Sequence, residues 1–112
     1  MIAARTDRKY VPMVFDFHPA ADIDLRAAID WYDRRESALG ARFEADIYEA
    51  LERIAENPMA WKRWRDSPIV RVYSLRRFPF YIPYVADRER VIVLAVAHAK
   101  REPGYWRERI QS

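Results

Sequence analysis

The sequence predicts a single α+β domain, in which a helical hairpin packs on one face of a small, mostly antiparallel sheet. Three observations predict it: a strand-like segment near the N-terminus, two consecutive stretches with helical periodicity, and three strand-like segments in the last third. The expected order of elements is β-α-α-β-β-β. With 112 residues, of which 51% are hydrophobic, the chain can bury one modest core.

The first strand is predicted at residues 13–17, which read MVFDF. The preceding residues 1–12 have no periodicity and end in a proline, so we expect a loose N-terminal extension there and a single domain over residues 13–112. The hypothesis follows that Met13 is the original start of the protein. Peptide mapping of the natively expressed protein tests it.

Two helices are predicted next, and they form an antiparallel hairpin. The first begins near Pro19, because apolar residues recur from Ala21 at i, i+4, i+7, i+8 and i+11. The second runs from Leu39 to Ile54, and Asn57-Pro58 stops it. We expect His18 to cap the first helix. Two aromatic residues of the first helix are expected in the core: Trp31 and Tyr32.

Three strands are predicted in the last third, joined by two antiparallel hairpins. The first connection is expected to be tight, at Arg76-Arg77. Pro79 and Pro83 remove donors from the middle strand and favour a bulge or pairing on one side only. The run from Val91 to Ala97 is apolar on both faces and should be the most buried strand. The predicted bounds are residues 69–76, 78–85 and 90–98.

Charge is distributed unevenly along the chain. Residues 1–57 hold 8 Lys+Arg against 12 Asp+Glu, a net charge of −4, whereas residues 58–112 hold 12 against 5, a net charge of +7. The helices are therefore acidic and the late strands basic. This asymmetry favours the open face of the sheet as a working surface for a polyanion or an acidic protein. Solvated surface charge is the alternative.

Composition also excludes several classes of site. The chain has no cysteine, two histidines and two glycines, so disulfides, zinc-ligand spacings and glycine-rich phosphate loops are not expected. No stretch is long and apolar enough to span a bilayer. The sequence predicts a cytoplasmic protein that uses no metal and no cofactor.

Several short motifs, taken in their order and spacing, resemble one family. They are FHP at residues 17–19, Trp31-Tyr32, LGARF from Leu39, RIAENP from Arg53, LRRFPFYIPY from Leu75 and LAVAHAKREPGYW from Leu94. Together they resemble the RelE/ParE superfamily of toxins from type II toxin–antitoxin systems, the plasmid-stabilisation type, over residues 13–109.

The resemblance implies a cytoplasmic growth-arresting toxin that assembles with an antitoxin, which wraps it and binds the groove between helices and sheet. RelE-like members cleave mRNA in the ribosomal A site without a metal, and this is the leading hypothesis for the chain. ParE-like members poison DNA gyrase and are not nucleases, which is the alternative. A degenerate, non-toxic binding module is the third possibility.

Metal-free RNA cleavage needs a base, cations on the phosphate, and an acid for the leaving oxygen. The resemblance places these roles on a strand arginine, the basic residues after the last strand and a C-terminal aromatic residue. A histidine adds a group that titrates near neutrality, although a structural hydrogen-bonded histidine is the alternative. The candidate catalytic residues are Arg76, His98, Lys100, Arg101 and Tyr105.

Further basic and aromatic residues are candidates for contact with nucleic acid or a partner protein. Bridging to acidic residues is the alternative for Arg76 and Arg77, and closure of the core is the alternative for Tyr105 and Trp106. The candidate binding residues are Lys62, Arg63, Trp64, Arg71, Arg77, Tyr81 and Trp106.

The chain departs from the RelE-like nucleases at one point. Tyr81 occupies the position of their phosphate-binding strand arginine, and hydrophobic and small residues around Val72 and Ser74 replace their paired lysines. This departure leaves gyrase inhibition open as a mechanism.

Overall fold

The structure, a computed structural model, describes residues 14–65, 67–87 and 89–111. Within these residues, two helices, five strands and a C-terminal 3₁₀ turn follow one another. They are β1 (Val14–Phe17), α1 (Pro19–Arg35), α2 (Leu39–Glu56), β2 (Arg71–Ser74), β3 (Phe80–Ala86), β4 (Arg90–Val93), β5 (Ala97–His98) and the 3₁₀ turn (Arg107–Gln111).

The strands form one sheet in the order β1-β4-β3-β2, with β5 also paired to β3. β1 runs parallel to β4, with Phe15 opposite Val91, and the other pairings are antiparallel. Both predicted hairpins are present: Tyr73 lies opposite Ile82, and Val85 opposite Ile92. The α+β class and the order of elements are confirmed.

The last predicted strand, residues 90–98, is divided into two. Residues 94–96 belong to no strand and separate β4 from β5. The interruption lies opposite Pro83, whose carbonyl accepts a hydrogen bond from the Leu94 amide at 2.9 Å. The Val96 amide instead donates to the Asp24 carboxylate at 3.2 Å. The hydrogen-bond ladder between β3 and the last strand region is thus interrupted at residues 94–96. One amide of this segment, that of Val96, is bound by the Asp24 side chain of α1 and not by β3.

The helical hairpin agrees with the predicted periodicity. His18 caps α1, since its Nδ1 accepts a hydrogen bond from the Ala20 amide at 3.0 Å, and Asn57 ends α2. The helices approach closely at Gly40, where an added Cβ would lie 2.5 Å from the Ile29 carbonyl oxygen. Neither helix in the described part of the chain is long and apolar enough to cross a membrane.

Two turns complete the late hairpins. The β2–β3 connection is longer than predicted: residues 75–79 lie between the strands, and the Leu75 amide donates to the Phe80 carbonyl at 2.9 Å. The β3–β4 turn is closed by the Asp87 carboxylate, which accepts the amides of Glu89 and Arg90, each at 2.9 Å. These hydrogen bonds stabilise the carboxylate and lower the pKa of Asp87.

The core has two parts, one on each face of the sheet. Between the helices and the sheet lie residues such as Phe43, Ile47 and Tyr84. On the other face, Trp106 and the 3₁₀ turn cover a second cluster that includes Leu94 and Ala97. The face that was predicted to be open is therefore partly covered, because this second cluster packs against it. Its role as a working surface stays a prediction. The prediction that Val91 to Ala97 is the most buried strand region holds: all but the half-buried Ile92 are buried.

Candidate functional site

A cleft of about 530 Å³ lies between α1 and the end of the sheet. We call it the α1 cleft. Most of its lining side chains are apolar or aromatic, and the polar ones come from α1, β5 and the segment that follows β5. The lining residues are Asp24, Ala27, Ala28, Trp31, Tyr32, Pro79, Phe80, Val96, His98, Arg101 and Tyr105.

The sheet register brings His98 to this cleft. His98 lies opposite Phe80 in the β3–β5 pair. The two rings pack edge-on, with their centroids 4.9 Å apart. Its Nδ1 accepts a hydrogen bond from the Lys100 amide at 3.0 Å. Because Nδ1 is held by the backbone, Nε2 is the nitrogen that can exchange a proton with a ligand. The Lys100 side chain is exposed.

Tyr105 also lines the cleft, and its environment favours the protonated phenol. Burial raises the pKa of Tyr105, and the Asp24 carboxylate adds to the rise, against the opposing effect of Arg101 and Arg109. The Arg101 guanidinium lies 3.7 Å from the centre of the Tyr105 ring. At neutral pH Tyr105 can donate a proton or a hydrogen bond, and it cannot serve as a base.

An ion pair between Arg109 and Asp24, which the sequence does not predict, connects the elements around the α1 cleft. Arg109 donates to the Asp24 carboxylate at 2.8 Å and to the Leu94 carbonyl at 2.9 Å, and both side chains of the pair are largely buried. The contact joins α1, the interruption between β4 and β5, and the 3₁₀ turn. In the sequence, Asp24 appears only as an acidic residue near the start of a helix, and nothing connects it with a residue 85 positions later.

Arg76 and Arg77 lie at a different place from the other candidate catalytic residues. They line a separate cavity of about 130 Å³, between α2 and the β2–β3 turn, which shares no lining residue with the α1 cleft. Arg77 donates to Asp46 at 3.2 Å, so it bridges to a helix as the alternative interpretation expected. The structure thus brings together His98, Arg101 and Tyr105 and leaves Arg76 apart from them.

Trp106 is not available for base stacking, which corrects its assignment as a binding residue. Its side chain is fully buried, its Nε1 donates to the Tyr81 hydroxyl at 3.1 Å, and the ring of Trp64 packs edge-on at 5.1 Å. Gly104 is required beside it, because its φ is +80° and an added Cβ would lie 2.8 Å from the Trp64 ring. The second core cluster therefore contains Trp106, and Trp64 and Tyr81 pack against it.

The remaining candidate binding residues lie around the loop before β2. Arg71 donates to the Trp61 carbonyl at 2.8 Å and so fastens this loop to the sheet. Lys62 and Arg63 are exposed. These two cations are accessible to a partner, whereas Arg71 is engaged within the chain.

The expectation for Trp31 is also corrected. Tyr32 packs against Phe43 and Phe78 of the core, but Trp31 is 49% exposed at the rim of the α1 cleft. The Arg35 guanidinium lies 3.9 Å from the centre of its ring. Helical periodicity places Trp31 beside the apolar stripe, and sequence alone does not tell a residue at the edge of the core from one at the edge of a cleft.

Within residues 14–65, 67–87 and 89–111, no group of three or more His, Cys, Asp or Glu side chains is arranged to hold a metal ion. The polar groups among the lining residues of the α1 cleft are the His98 imidazole, the Arg101 guanidinium, the phenols of Tyr32 and Tyr105, the Trp31 indole nitrogen and the Asp24 carboxylate, which is paired with Arg109. This set can bind an anion or donate hydrogen bonds to a partner.

Comparisons with known proteins agree with this architecture. The sequence model of the family described as the ParE toxin of type II toxin–antitoxin system, parDE, matches residues 15–103. A solved structure described as the chromosomal ParDE TA system from P. aeruginosa superposes with a TM-score of 0.69 at 22% identity, covering 79% of this chain and 97% of that one. At that identity the similarity shows the fold alone. No curated protein matches the sequence. The family match confirms the resemblance to the RelE/ParE superfamily.

Proposed function

Because the chain belongs to the ParE toxin family of type II toxin–antitoxin systems, we propose that it arrests growth by binding DNA gyrase, and that an antitoxin holds it inactive. The observation that carries the proposal is the lining of the α1 cleft, where apolar and aromatic side chains outnumber the charged and polar ones, which are Arg101, His98 and the Asp24 carboxylate paired with Arg109. A lining of this kind takes the apolar side chains of a protein partner.

The antitoxin is expected to occupy the α1 cleft. The exposed ring of Trp31 and the half-buried ring of Tyr105 stand at its rim, and aromatic residues are the usual anchors of protein interfaces. Arg101 and Lys100 are exposed beside it and favour an acidic segment of the partner. An antitoxin bound here covers His98, Arg101 and Tyr105 together.

The dispersal of the basic candidates argues against mRNA cleavage as the main activity. A metal-free nuclease needs several cations on one phosphate, but Arg76 lines another cavity and Arg77 is paired with Asp46. Arg101 is the one candidate cation among the lining residues of the α1 cleft. Tyr81 binds Trp106 with its hydroxyl and cannot replace the strand arginine typical of the nucleases.

One observation favours the nuclease as a second candidate. His98 and the protonated phenol of Tyr105 line the same cleft as Arg101, so a base, an acid and one cation are close to each other. In this mechanism Nε2 of His98 would take the proton of the 2′-hydroxyl, and Tyr105 would protonate the leaving oxygen.

Two assays on the purified chain separate these functions. In a gyrase supercoiling assay, we expect added chain to block supercoiling and to leave linear DNA after gyrase is denatured. Addition of the antitoxin encoded beside the chain should restore supercoiling. In a purified translation system, primer extension on a translated mRNA should give no new stops. Codon-specific stops with unaffected gyrase would replace the proposal with the nuclease.

A further inference from the structure

Among the lining residues of the α1 cleft, Asp24 is the one that carries a carboxylate, and this carboxylate is bound from within the chain. It accepts a hydrogen bond from the Arg109 guanidinium at 2.8 Å and another from the Val96 amide at 3.2 Å. Two donors thus bind a largely buried carboxylate at the wall of a mainly apolar cavity, where an unpaired charge would be costly.

Arg109 reaches this carboxylate from outside the cleft. It belongs to the 3₁₀ turn and is not among the lining residues of the cleft. A second hydrogen bond, to the Leu94 carbonyl at 2.9 Å, fixes the guanidinium beside the interruption between β4 and β5. Because the guanidinium is held at two points, it acts on the cleft through Asp24 and not by contact with a ligand.

The ion pair determines the net charge of the cleft. Apart from His98, the lining residues that carry charge are Asp24 and Arg101, and their charges sum to zero. Arg109 cancels the charge of Asp24, so the exposed Arg101 guanidinium remains as the positive group of the cleft. Charges beside a largely apolar cavity act over several ångströms, because bulk water screens them less there than at an open surface.

The phenol of Tyr105 responds to all three charges. Burial raises the pKa of Tyr105 and the Asp24 carboxylate raises it further, whereas Arg101 and Arg109 lower it. The two guanidinium groups lie 3.7 Å (Arg101) and 5.3 Å (Arg109) from the centre of the Tyr105 ring. Tyr105 lines the cleft, so its ionisation reports the charge there.

We infer that Arg109 is a specificity-determining residue of the α1 cleft: by neutralising Asp24, it makes the cleft accept an acidic segment of the antitoxin and disfavour a basic one. The inference rests on the proposed function, because the antitoxin is the partner proposed for this cleft. If the pair only stabilised the fold, loss of either member would weaken binding. If it sets the charge of the cleft, loss of the two members has opposite effects on binding.

Neutral variants of the two residues separate charge from stability. In Arg109→Gln the Asp24 carboxylate is left without this cation, so antitoxin binding should weaken about fivefold. In Asp24→Asn the Arg109 charge is no longer cancelled, so binding should strengthen about threefold although the fold becomes less stable. The double variant restores the sum of the charges and should bind within about twofold of the wild type. Isothermal titration calorimetry with the antitoxin encoded beside the chain measures all four affinities.

Two further variants serve as controls. Arg109→Lys keeps the positive charge and should recover most of the affinity that Arg109→Gln loses. Arg90→Gln makes the same change in net charge at the other end of β4, where it breaks an exposed pair with Asp16, and it should bind the antitoxin normally. Circular dichroism on each variant verifies that the helices persist.

A measurement on the chain alone tests the charge of the cleft without the antitoxin. Nuclear magnetic resonance of chain labelled with ¹³C in its tyrosine rings, with Tyr105→Phe for assignment, follows the ionisation of Tyr105. Its pKa should rise in Arg109→Gln, fall in Asp24→Asn and return towards the wild-type value in the double variant.

Two results would overturn the inference: an identical pKa of Tyr105 in all four chains, or antitoxin binding that is weakened in both single variants. A wild-type chain that binds no antitoxin, while Tyr105 responds as expected, contradicts the proposed function and its choice of partner. That result still supports the role of Arg109 in setting the charge of the cleft.

Discussion

The two helices of the hairpin are almost equal in length, with 17 residues in α1 and 18 in α2, yet they use their apolar residues differently. In α2, Phe43 and Ile47 are fully buried, and so is Ile54 near the end of the helix. In α1, Ile23 and Trp31 stay exposed beside the α1 cleft. The difference teaches that α2 mainly stabilises the fold, while α1 also presents exposed apolar side chains beside a cleft.

The largest expected effect is on stability, and it falls on α2. Phe43→Ala should lower the free energy of unfolding by about 3–5 kcal/mol, because a fully buried ring is removed from a packed cluster. Ile23→Ala on α1 should change it by less than about 0.5 kcal/mol. Urea denaturation followed by circular dichroism measures both. Equal losses in the two variants would contradict the division of roles.

The next effect concerns Asp24, through which α1 stabilises the region of the C-terminal 3₁₀ turn. Asp24→Asn should cost about 1–3 kcal/mol, since it removes the charge that Arg109 binds in a largely buried position. Amide hydrogen exchange at Val96, which donates to Asp24, should accelerate. Asp22→Asn, which affects an exposed pair on the same helix, is the control and should be nearly neutral.

A smaller effect comes from the core beneath both helices and depends on pH. The buried Tyr84 hydroxyl donates to the Pro58 carbonyl at 2.6 Å, so Tyr84→Phe should cost about 1 kcal/mol at neutral pH. Burial raises the pKa of Tyr84 from 10.0 to about 12 in the folded chain, against a smaller opposing effect of Arg71.

The folded chain holds this proton more tightly than the unfolded chain does. The stabilisation from the Tyr84 proton is therefore fully present below pH 10 and is lost as the pH rises through about 12. Thermal unfolding between pH 9 and pH 12 should show a loss of stability in the wild type that Tyr84→Phe reduces. Tyr48→Phe, on the exposed side of α2, should follow the wild type. An identical alkaline profile in all three chains would contradict this account.

The smallest effect on stability is expected at Trp31, where the effect on antitoxin binding should be large. Trp31→Ala should leave the free energy of unfolding within about 0.5 kcal/mol, because the ring is half exposed. It should weaken antitoxin binding by about tenfold or more, as loss of an aromatic anchor does. Tyr48→Ala on α2 removes a ring of similar exposure (52% against 49%) and should bind the antitoxin normally. Isothermal titration calorimetry measures both affinities.

Local patterns predicted most of the fold. The helices, the His18 cap and both late hairpins follow from periodicity and turn residues close in sequence. The division of the last strand was not predictable, because it depends on the Val96 amide and the Asp24 carboxylate, which are 72 positions apart. The covered second face of the sheet was missed for a similar reason: the packing of Trp106 against Trp64 is a tertiary contact.

The candidate site was predictable in part. His98, Arg101 and Tyr105 share a cleft because they are near in sequence: His98 ends β5, and the other two follow it. The resemblance places Arg76 with them, but the β2–β3 turn brings it beside α2. Which strand residues meet across a fold is set by topology, and a single sequence does not carry that information.

The central claim is that the chain acts by binding and not by chemistry at His98, and a comparison of the wild type with His98→Gln tests it most directly. In a gyrase supercoiling assay with increasing chain, both proteins should inhibit at concentrations within about threefold of each other. A wild-type chain that leaves gyrase active and cuts translated mRNA, with cutting abolished in His98→Gln, would contradict the claim.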